Sequence, residues 1–174
     1  MKEPLLKRIH SLSAVTAVAA SLVVAFASVA HAQAVRTERN ISLALANDIA
    51  GATVAACSAN GYNVAATVVD RAGTVRAVQR ADNAGPHTLG ASQQKAFTSA
   101  SAKNTTLAMM ENVQKNPAAA TLVHIPGFLL VGGGVPIKVG NEVIGAVGVG
   151  GAPGGHLDEQ CAMTALEKIK DQLK

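Results

Sequence analysis

The sequence predicts an α+β domain in which helices flank a central antiparallel sheet of about five strands. Two observations lead to this fold class. Apolar residues recur at helical spacing in several stretches of the chain, and β-branched runs lie between these stretches. Most of these runs are joined by turns too short for a parallel crossover, so the strands are expected to be antiparallel. The predicted order is helix, strand, strand, helix, helix, strand, strand, strand, helix.

The first half of the chain predicts one helix followed by a hairpin. Apolar side chains at helical spacing predict a helix over residues 37–59. The β-branched runs Asn63–Asp70 and Thr74–Gln79 predict two strands, and Arg71–Gly73 between them has the composition of a turn. The acidic side chain of Asp70 is therefore explained most simply as part of that turn.

The second half predicts helices, then three short strands, then a last helix. The stretch Thr88–Gln114 is rich in Ala, Ser, Lys and Met and predicts helix, with a break near Asn104. The final helix opens at Asp158 and ends in lysines, as the helix dipole favours. The strands between them are predicted at Phe128–Val131, Pro136–Val139 and Glu142–Val149, the last two joined by the hairpin signal Gly140–Asn141.

The N-terminus has the order of a secretory signal peptide. Three cations in the first ten residues precede an uncharged stretch over residues 11–30, and the small-residue triplet Ala30–Ala32 follows. We expect cleavage after this triplet, so that residues 1–32 are the signal peptide and residues 33–174 form a single domain of a secreted or periplasmic protein. An uncleaved membrane anchor is the alternative, since about twenty apolar residues can span a bilayer. The A-x-A triplet favours cleavage and hence no stable anchor.

The charge of the chain is largely a property of this N-terminal segment. Cleavage would remove three cations and one anion, which halves the net charge of +4. The remaining cations are scattered, and the chain has no Trp, one Tyr and three Phe. The sequence lacks both a basic patch and the platform of several aromatic residues on which bases stack, so we expect no nucleic-acid partner.

Cys57 and Cys161 are the only cysteines of the chain. In an oxidising compartment they could form a single bridge. Small buried cysteines on helices could equally stay reduced, because free Cys often behaves as a small hydrophobic residue. The sequence alone leaves both interpretations open.

Motifs that carry chemistry are mostly absent, and no catalytic residue is predicted. A G-x-S-x-G nucleophile elbow is missing, and neither Gly132–Gly134 nor Gly148–Gly155 satisfies a phosphate-loop pattern. None of the histidines His87, His124 and His156 lies in a zinc-binding sequence motif. The glycines more simply indicate turns or the close approach of another chain segment.

An ordered set of short motifs nevertheless resembles a known family. The motifs are Val68–Gly73, Arg80 with Asp82 and Gly85–Pro86, Lys95–Thr98, Ile125–Gly127, Gly132–Pro136 and Val143–Asp158 followed by Glu159–Ala162. Together they cover about residues 44–165 and resemble the GlcG/HbpS family. The resemblance implies an antiparallel sheet flanked by helices, assembly as homo-oligomers, and haem as the ligand. Members with a signal peptide look like the secreted haem-binding branch, which is related to the haem-binding C-terminal module of PduO proteins.

The resemblance also implies a haem site along the helix that follows the Gly-Pro loop. Thr98 is the first candidate for the position near the iron. His87 opens the same helix and is chemically the stronger iron ligand, although the family pattern has Gln at this position. Lys95 and Arg80 are candidate partners of the haem propionates, and Phe97 could stack on the porphyrin.

Each of these assignments has a simpler alternative. His87 could be a solvated loop residue, and Lys95 could pair with Asp82 to tie the preceding loop to the helix. For the whole protein, a GlcG-like protein or enzyme of glycolate or small-molecule metabolism is the alternative to haem binding, although few acid–base groups fall in the matched motifs. A purely structural oligomer subunit is a third hypothesis, since exposed apolar area at an interface would also explain the low charge.

Overall fold

A four-stranded antiparallel sheet forms the centre of the domain, which confirms the predicted fold class with one strand fewer. The computed structural model describes residues 35–174, and the expected signal peptide lies outside the described residues. The spatial order is β2-β1-β4-β3, so β1 and β4 are the central strands. The strands are β1 (Ala65–Asp70), β2 (Val75–Arg80), β3 (Gly134–Val139) and β4 (Glu142–Gly150).

Helices cover both faces of this sheet. They are α1 (Leu43–Ser58), α2 (His87–Ala102), α3 (Thr106–Lys115) and α4 (Gly155–Lys168), with 3₁₀ helices at Pro117–His124 and Lys170–Gln172. One face carries α2, which packs across β4, β1 and β3, whereas α1 and α4 pack together on the other face. None of the helices in residues 35–174 is long and apolar enough to cross a membrane.

The first helix is shorter than predicted because its start is set by a cap. The Ser42 hydroxyl accepts a hydrogen bond from the Leu45 amide, which satisfies one of the free amides at the helix start. The preceding residues are used differently, since the Ile41 amide donates to the Ile144 carbonyl at 3.2 Å. Residues 37–42 were included in the predicted helix, but they precede the observed start of α1 at Leu43.

The predicted break in the following helical stretch is confirmed. Lys103 has a left-handed φ of 54°, and it separates α2 from α3. The Thr105 side chain then accepts a hydrogen bond from the Ala108 amide and caps α3. A polar run of Asn and Thr residues thus ends one helix and starts the next.

Phe128–Val131 is an irregular segment, so the prediction of a strand there was wrong. Its backbone groups bond to hydroxyl side chains of helices instead of to a neighbouring strand. The Leu129 amide donates to Thr98 Oγ1 at 2.8 Å, and Thr106 Oγ1 donates to the Val131 carbonyl at 2.7 Å. An apolar run of four residues predicts burial, but it does not reveal which groups satisfy the backbone.

Helix α2 lies unusually close to β4. A Cβ built on Gly148 would lie 2.0 Å from the Ser92 carbonyl oxygen and 2.4 Å from the Ala96 amide nitrogen. The contact continues through small side chains, because Ala96 and Ala100 pack against Ala146 in a second core cluster. Glycine and alanine at these positions therefore set the distance between helix and sheet.

On the opposite face, a disulfide joins α1 to α4. Cys57 and Cys161 are bonded, and both are buried in the main apolar core. The bond resolves the two alternatives that the sequence left open. It links residues 104 positions apart and so connects the first helix of the domain to the last.

Candidate functional site

A buried ion pair connects α2 to α4 at the end of β4. Lys95 Nζ lies 2.6 Å from Asp158 Oδ2, and the two side chains are only 5% and 4% exposed. The other carboxylate oxygen, Asp158 Oδ1, accepts a hydrogen bond from the Ala152 amide at 3.0 Å. The carboxylate is thus fixed by a cation on one side and by the glycine-rich turn after β4 on the other.

Opposing effects act on the proton affinity of this carboxyl group. Burial raises the pKa of Asp158 above the ordinary aspartate value, and the charge and hydrogen bond of Lys95 act against that rise. Burial has the larger effect. Asp158 therefore holds a proton more readily than an exposed aspartate does.

The ion pair lies in the wall of an open cleft with a volume of about 360 Å³. His87 is the third ionisable side chain of this wall, and its apolar part comes from side chains of α2 and of the irregular segment. The lining residues are His87, Ala91, Lys95, Leu129, Val131, Asp158 and the turn residues 150–155. We refer to this site as the His87 cleft.

Glycines allow the backbone to approach the ion pair closely. Gly133 has a φ of +123°, and a Cβ there would lie 2.7 Å from Asp158 Cβ and 3.0 Å from Lys95 Nζ. Only glycine combines this left-handed conformation with the missing side chain. The glycine cluster 132–134 is therefore part of the packing around Lys95, as its composition indicated.

His87 is the exposed first residue of α2, and its ring lies over Gly85. The imidazole takes part in none of the hydrogen bonds or ion pairs within residues 35–174. A neutral imidazole with an unused nitrogen can bind a metal or accept a proton. The structure thus places a free nitrogen ligand and a buried ammonium in the wall of one cleft.

The other predicted site residues lie outside this lining. The Thr98 hydroxyl is fully buried, where it donates to the Gln94 carbonyl at 2.7 Å and accepts from the Leu129 amide. Phe97 lines a neighbouring cleft and packs edge-on against Phe128. Arg80, at the end of β2, donates to the Ala84 carbonyl. Of the five predicted residues, the structure brings together His87 and Lys95.

Asp158 was predicted only as the opening of the last helix and not as a site residue. Lys95 pairs with this residue, 63 positions away, and not with Asp82. One signal pointed to such a partner, because a lysine among the small side chains of a packed helix needs a buried counter-charge. The spacing alone did not reveal which carboxylate supplies it.

Across residues 35–174, no three His, Cys, Asp or Glu side chains lie close enough together to hold a metal ion. Any metal at the His87 cleft would therefore have to bring most of its own ligands, as an iron porphyrin does.

The fold and the cleft define a small α+β domain with one sheet between two helical layers and a mixed polar and apolar cleft. The family model described as "Haem degrading protein HbpS-like" matches residues 41–167. The chain belongs to this HbpS-like family, which confirms the resemblance inferred from its motifs.

Individual relatives agree with this assignment. Protein GlcG of Escherichia coli K12 is 33% identical over 114 residues, which are 66% of this chain and 84% of GlcG. The crystal structure of a Streptomyces reticuli HbpS double mutant superimposes with a TM-score of 0.72 at 33% identity, covering 78% of this chain and 90% of that one. The PduOC:Heme complex, at 22% identity, shares the fold with a TM-score of 0.67 over 75% of this chain and 95% of its own.

Proposed function

We propose that this protein is a secreted haem-binding protein that holds haem in the His87 cleft. The observation that carries the proposal is the convergence of two nitrogen groups in the wall of one cleft with a mixed polar and apolar lining: the His87 imidazole, which is unpaired within residues 35–174, and the buried Lys95 ammonium. The family description and the structure of the PduOC:Heme complex support haem as the ligand.

The donor set of the cleft fits haem chemically. Imidazole is a common axial ligand of haem iron, so His87 would bind the metal. Ala91, Leu129 and Val131 would contact the porphyrin edge. Haem, when bound, supplies an iron centre for redox or gas-ligand chemistry. The cleft volume of about 360 Å³ implies that part of the porphyrin stays in solvent.

Lys95 is suited to hold a haem propionate. Its ammonium has three donors, and Asp158 is its one hydrogen-bond acceptor within residues 35–174. The remaining N–H groups belong to a side chain that lines the cleft. A carboxylate ligand would therefore meet a cation that is already oriented by its buried partner.

The two candidates for the iron position differ in availability. Thr98 is fully buried, and its hydroxyl already bonds to the Gln94 carbonyl and the Leu129 amide. His87 is exposed and makes no such bond within the described residues. His87 would therefore bind the haem iron, and a Thr98 variant tests the alternative.

The same proposal includes export and self-assembly. The Cys57–Cys161 bond supports an oxidising compartment, where such bonds persist. Val75 and Val78 are 38% and 46% exposed on β2, an edge strand of the sheet. Apolar side chains exposed in this way support the packing of that edge against another copy of the chain in a homo-oligomer.

The test is a haemin titration of the mature protein followed through its Soret band. We expect saturable binding for the wild-type protein and at least tenfold weaker binding for H87A. His124 is exposed in the 3₁₀ helix outside the cleft lining, so H124A should bind as the wild type does. If H87A kept the wild-type spectrum and haemin affinity while T98V lost haemin binding, the iron would instead be assigned to Thr98.

A further inference from the structure

A second cleft lies beside Phe97 and has a different chemistry. Its volume is about 350 Å³, and no charged side chain lines it. The lining residues are Gly73, Gly90, Gln93, Gln94, Phe97, Pro126 and Gly127. We refer to it as the Phe97 cleft. An ionic ligand would find no counter-charge in this lining, in contrast to the His87 cleft.

The Phe97 ring is held in place by backbone on two sides. A Cβ on Gly73 would lie 2.7 Å from Phe97 Cδ2, and one on Gly127 would lie 3.2 Å from Phe97 Cε1. Both glycines have left-handed φ values, +82° and +83°. The ring also packs edge-on against Phe128 with the centroids 6.3 Å apart. Because these contacts restrict the ring, its accessible part is a preformed apolar surface.

Gly90 keeps the cleft open at the expense of helix stability. It lies within α2, where glycine is the least favourable residue except proline. Packing does not require it, because a Cβ at this position would meet nothing within 4 Å. Gly61 and Gly140 also meet nothing within 4 Å, but their left-handed φ values of 77° and 58° explain them. Gly90 has no positive φ, and its missing side chain leaves space in a cleft.

Two amide side chains provide hydrogen bonds at the same place. Gln93 and Gln94 are exposed, and neither side chain has a hydrogen-bond partner within residues 35–174. Each amide can donate two hydrogen bonds and accept others without carrying charge. The Phe97 cleft therefore combines an apolar ring with neutral donors and acceptors.

We propose that the Phe97 cleft binds a neutral sugar ring of the pyranose type. Such a ring has an apolar C–H surface for the aromatic side chain and hydroxyl groups for the glutamine amides. Its lack of charge matches the lining, and its single ring matches a compact cleft. The site is separate from the proposed haem site, because the two linings share no residue.

The test uses ¹⁵N-labelled mature protein titrated with methyl β-glucopyranoside and with N-acetylglucosamine. We expect saturable shifts of the Gln93 and Gln94 side-chain amide signals with at least one of the two sugars. Sodium acetate, as the charged control, should shift neither signal. Absence of a saturable shift with both sugars would overturn the proposal.

Three variants separate binding from folding. G90L restores a good helix former and fills the cleft, so it should weaken sugar binding at least tenfold while leaving the melting temperature unchanged or higher. F97A should weaken binding to a similar extent. Q114A, which alters a glutamine on α3, should bind sugar as the wild type does. Unchanged sugar binding in G90L would contradict the assignment.

The haemin titration distinguishes this inference from the proposed function. G90L should bind haemin as the wild type does, since Gly90 lies outside the His87 cleft. Loss of haemin binding in G90L would assign the Phe97 cleft to haem and overturn the sugar proposal. Loss of haemin binding in H87A alone, with sugar binding retained, would support both sites.

Discussion

At the residue scale, the Lys95–Asp158 pair shows how charge is maintained inside an Ala-rich and Gly-rich core. Each ion is costly to bury alone, and their attraction offsets the cost only because both are present in good geometry. The 2.6 Å separation and the hydrogen bond from the Ala152 amide meet that condition. The pair also connects α2 to α4, so it links the helical layers on the two faces of the sheet.

Asp158→Asn should therefore be strongly destabilising. The substitution leaves the Lys95 ammonium buried without a counter-charge. Removing one partner of a buried ion pair typically lowers the unfolding free energy by about 3–5 kcal/mol. Urea denaturation would measure the loss. The double variant K95M/D158N removes both charges and keeps an acceptor for the Ala152 amide, so it should recover most of the stability. If the double variant were as unstable as the single one, the charge explanation would be wrong.

At the element scale, the position of α2 depends on glycine in β4. Gly148→Ala would place a Cβ 2.0 Å from the Ser92 carbonyl oxygen, and backbone cannot rotate away as a side chain can. We expect a loss of about 3 kcal/mol in unfolding free energy, the upper part of the usual range for overpacking. Gly90→Ala, in α2, is the matched control. Its unfolding free energy should rise by about 1 kcal/mol, because the new Cβ meets open space. Equal effects of the two variants in urea denaturation would contradict this account.

The disulfide between α1 and α4 should contribute substantially to stability. It closes a loop whose ends are 104 residues apart. Such cross-links typically stabilise a fold by about 2–4 kcal/mol, because they restrict the unfolded chain. C57A/C161A should therefore unfold at lower urea concentration with its far-UV circular dichroism spectrum preserved. Reduced wild-type protein serves as the control and should shift in the same direction. Indistinguishable midpoints for the oxidised and reduced protein would show that the bond does not stabilise the fold.

The elements that the sequence predicted correctly are those specified by local interactions. The turn at 70–73 is one, since Asp70 Oδ1 accepts hydrogen bonds from the Ala72 and Thr74 amides at 2.9 and 3.0 Å. The break between α2 and α3 is another. Phe128–Val131 was predicted wrongly because its partners, Thr98 and Thr106, lie on other elements. The Lys95–Asp158 pair could not be predicted for the same reason.

At the scale of the whole molecule, the segment that enters the domain is anchored by charge. The Glu142 carboxylate at the start of β4 accepts from Arg39 Nε at 2.7 Å and from Arg71 at 2.9 Å. These two guanidinium groups lower the pKa of Glu142, so the carboxylate stays ionised and paired at neutral pH. Asn40 adds a hydrogen bond from the Arg71 amide. Residues 39 and 40 thus belong to the folded domain.

These contacts lead to a prediction about processing. The expected cleavage point after Ala32 precedes the anchored residues, so cleavage should leave the fold unchanged. Protein expressed with its full sequence and recovered from the periplasm should begin at Gln33, as measured by N-terminal sequencing and intact mass. Its mass should rise by that of two hydrogen atoms on reduction, because the structure contains the Cys57–Cys161 bond. Replacing Ala30 with a bulky charged residue should leave the longer precursor, because the cleavage site needs small side chains. Recovery of wild-type protein that still begins at Met1 would contradict the signal-peptide assignment and leave the membrane anchor as the explanation for the apolar N-terminus.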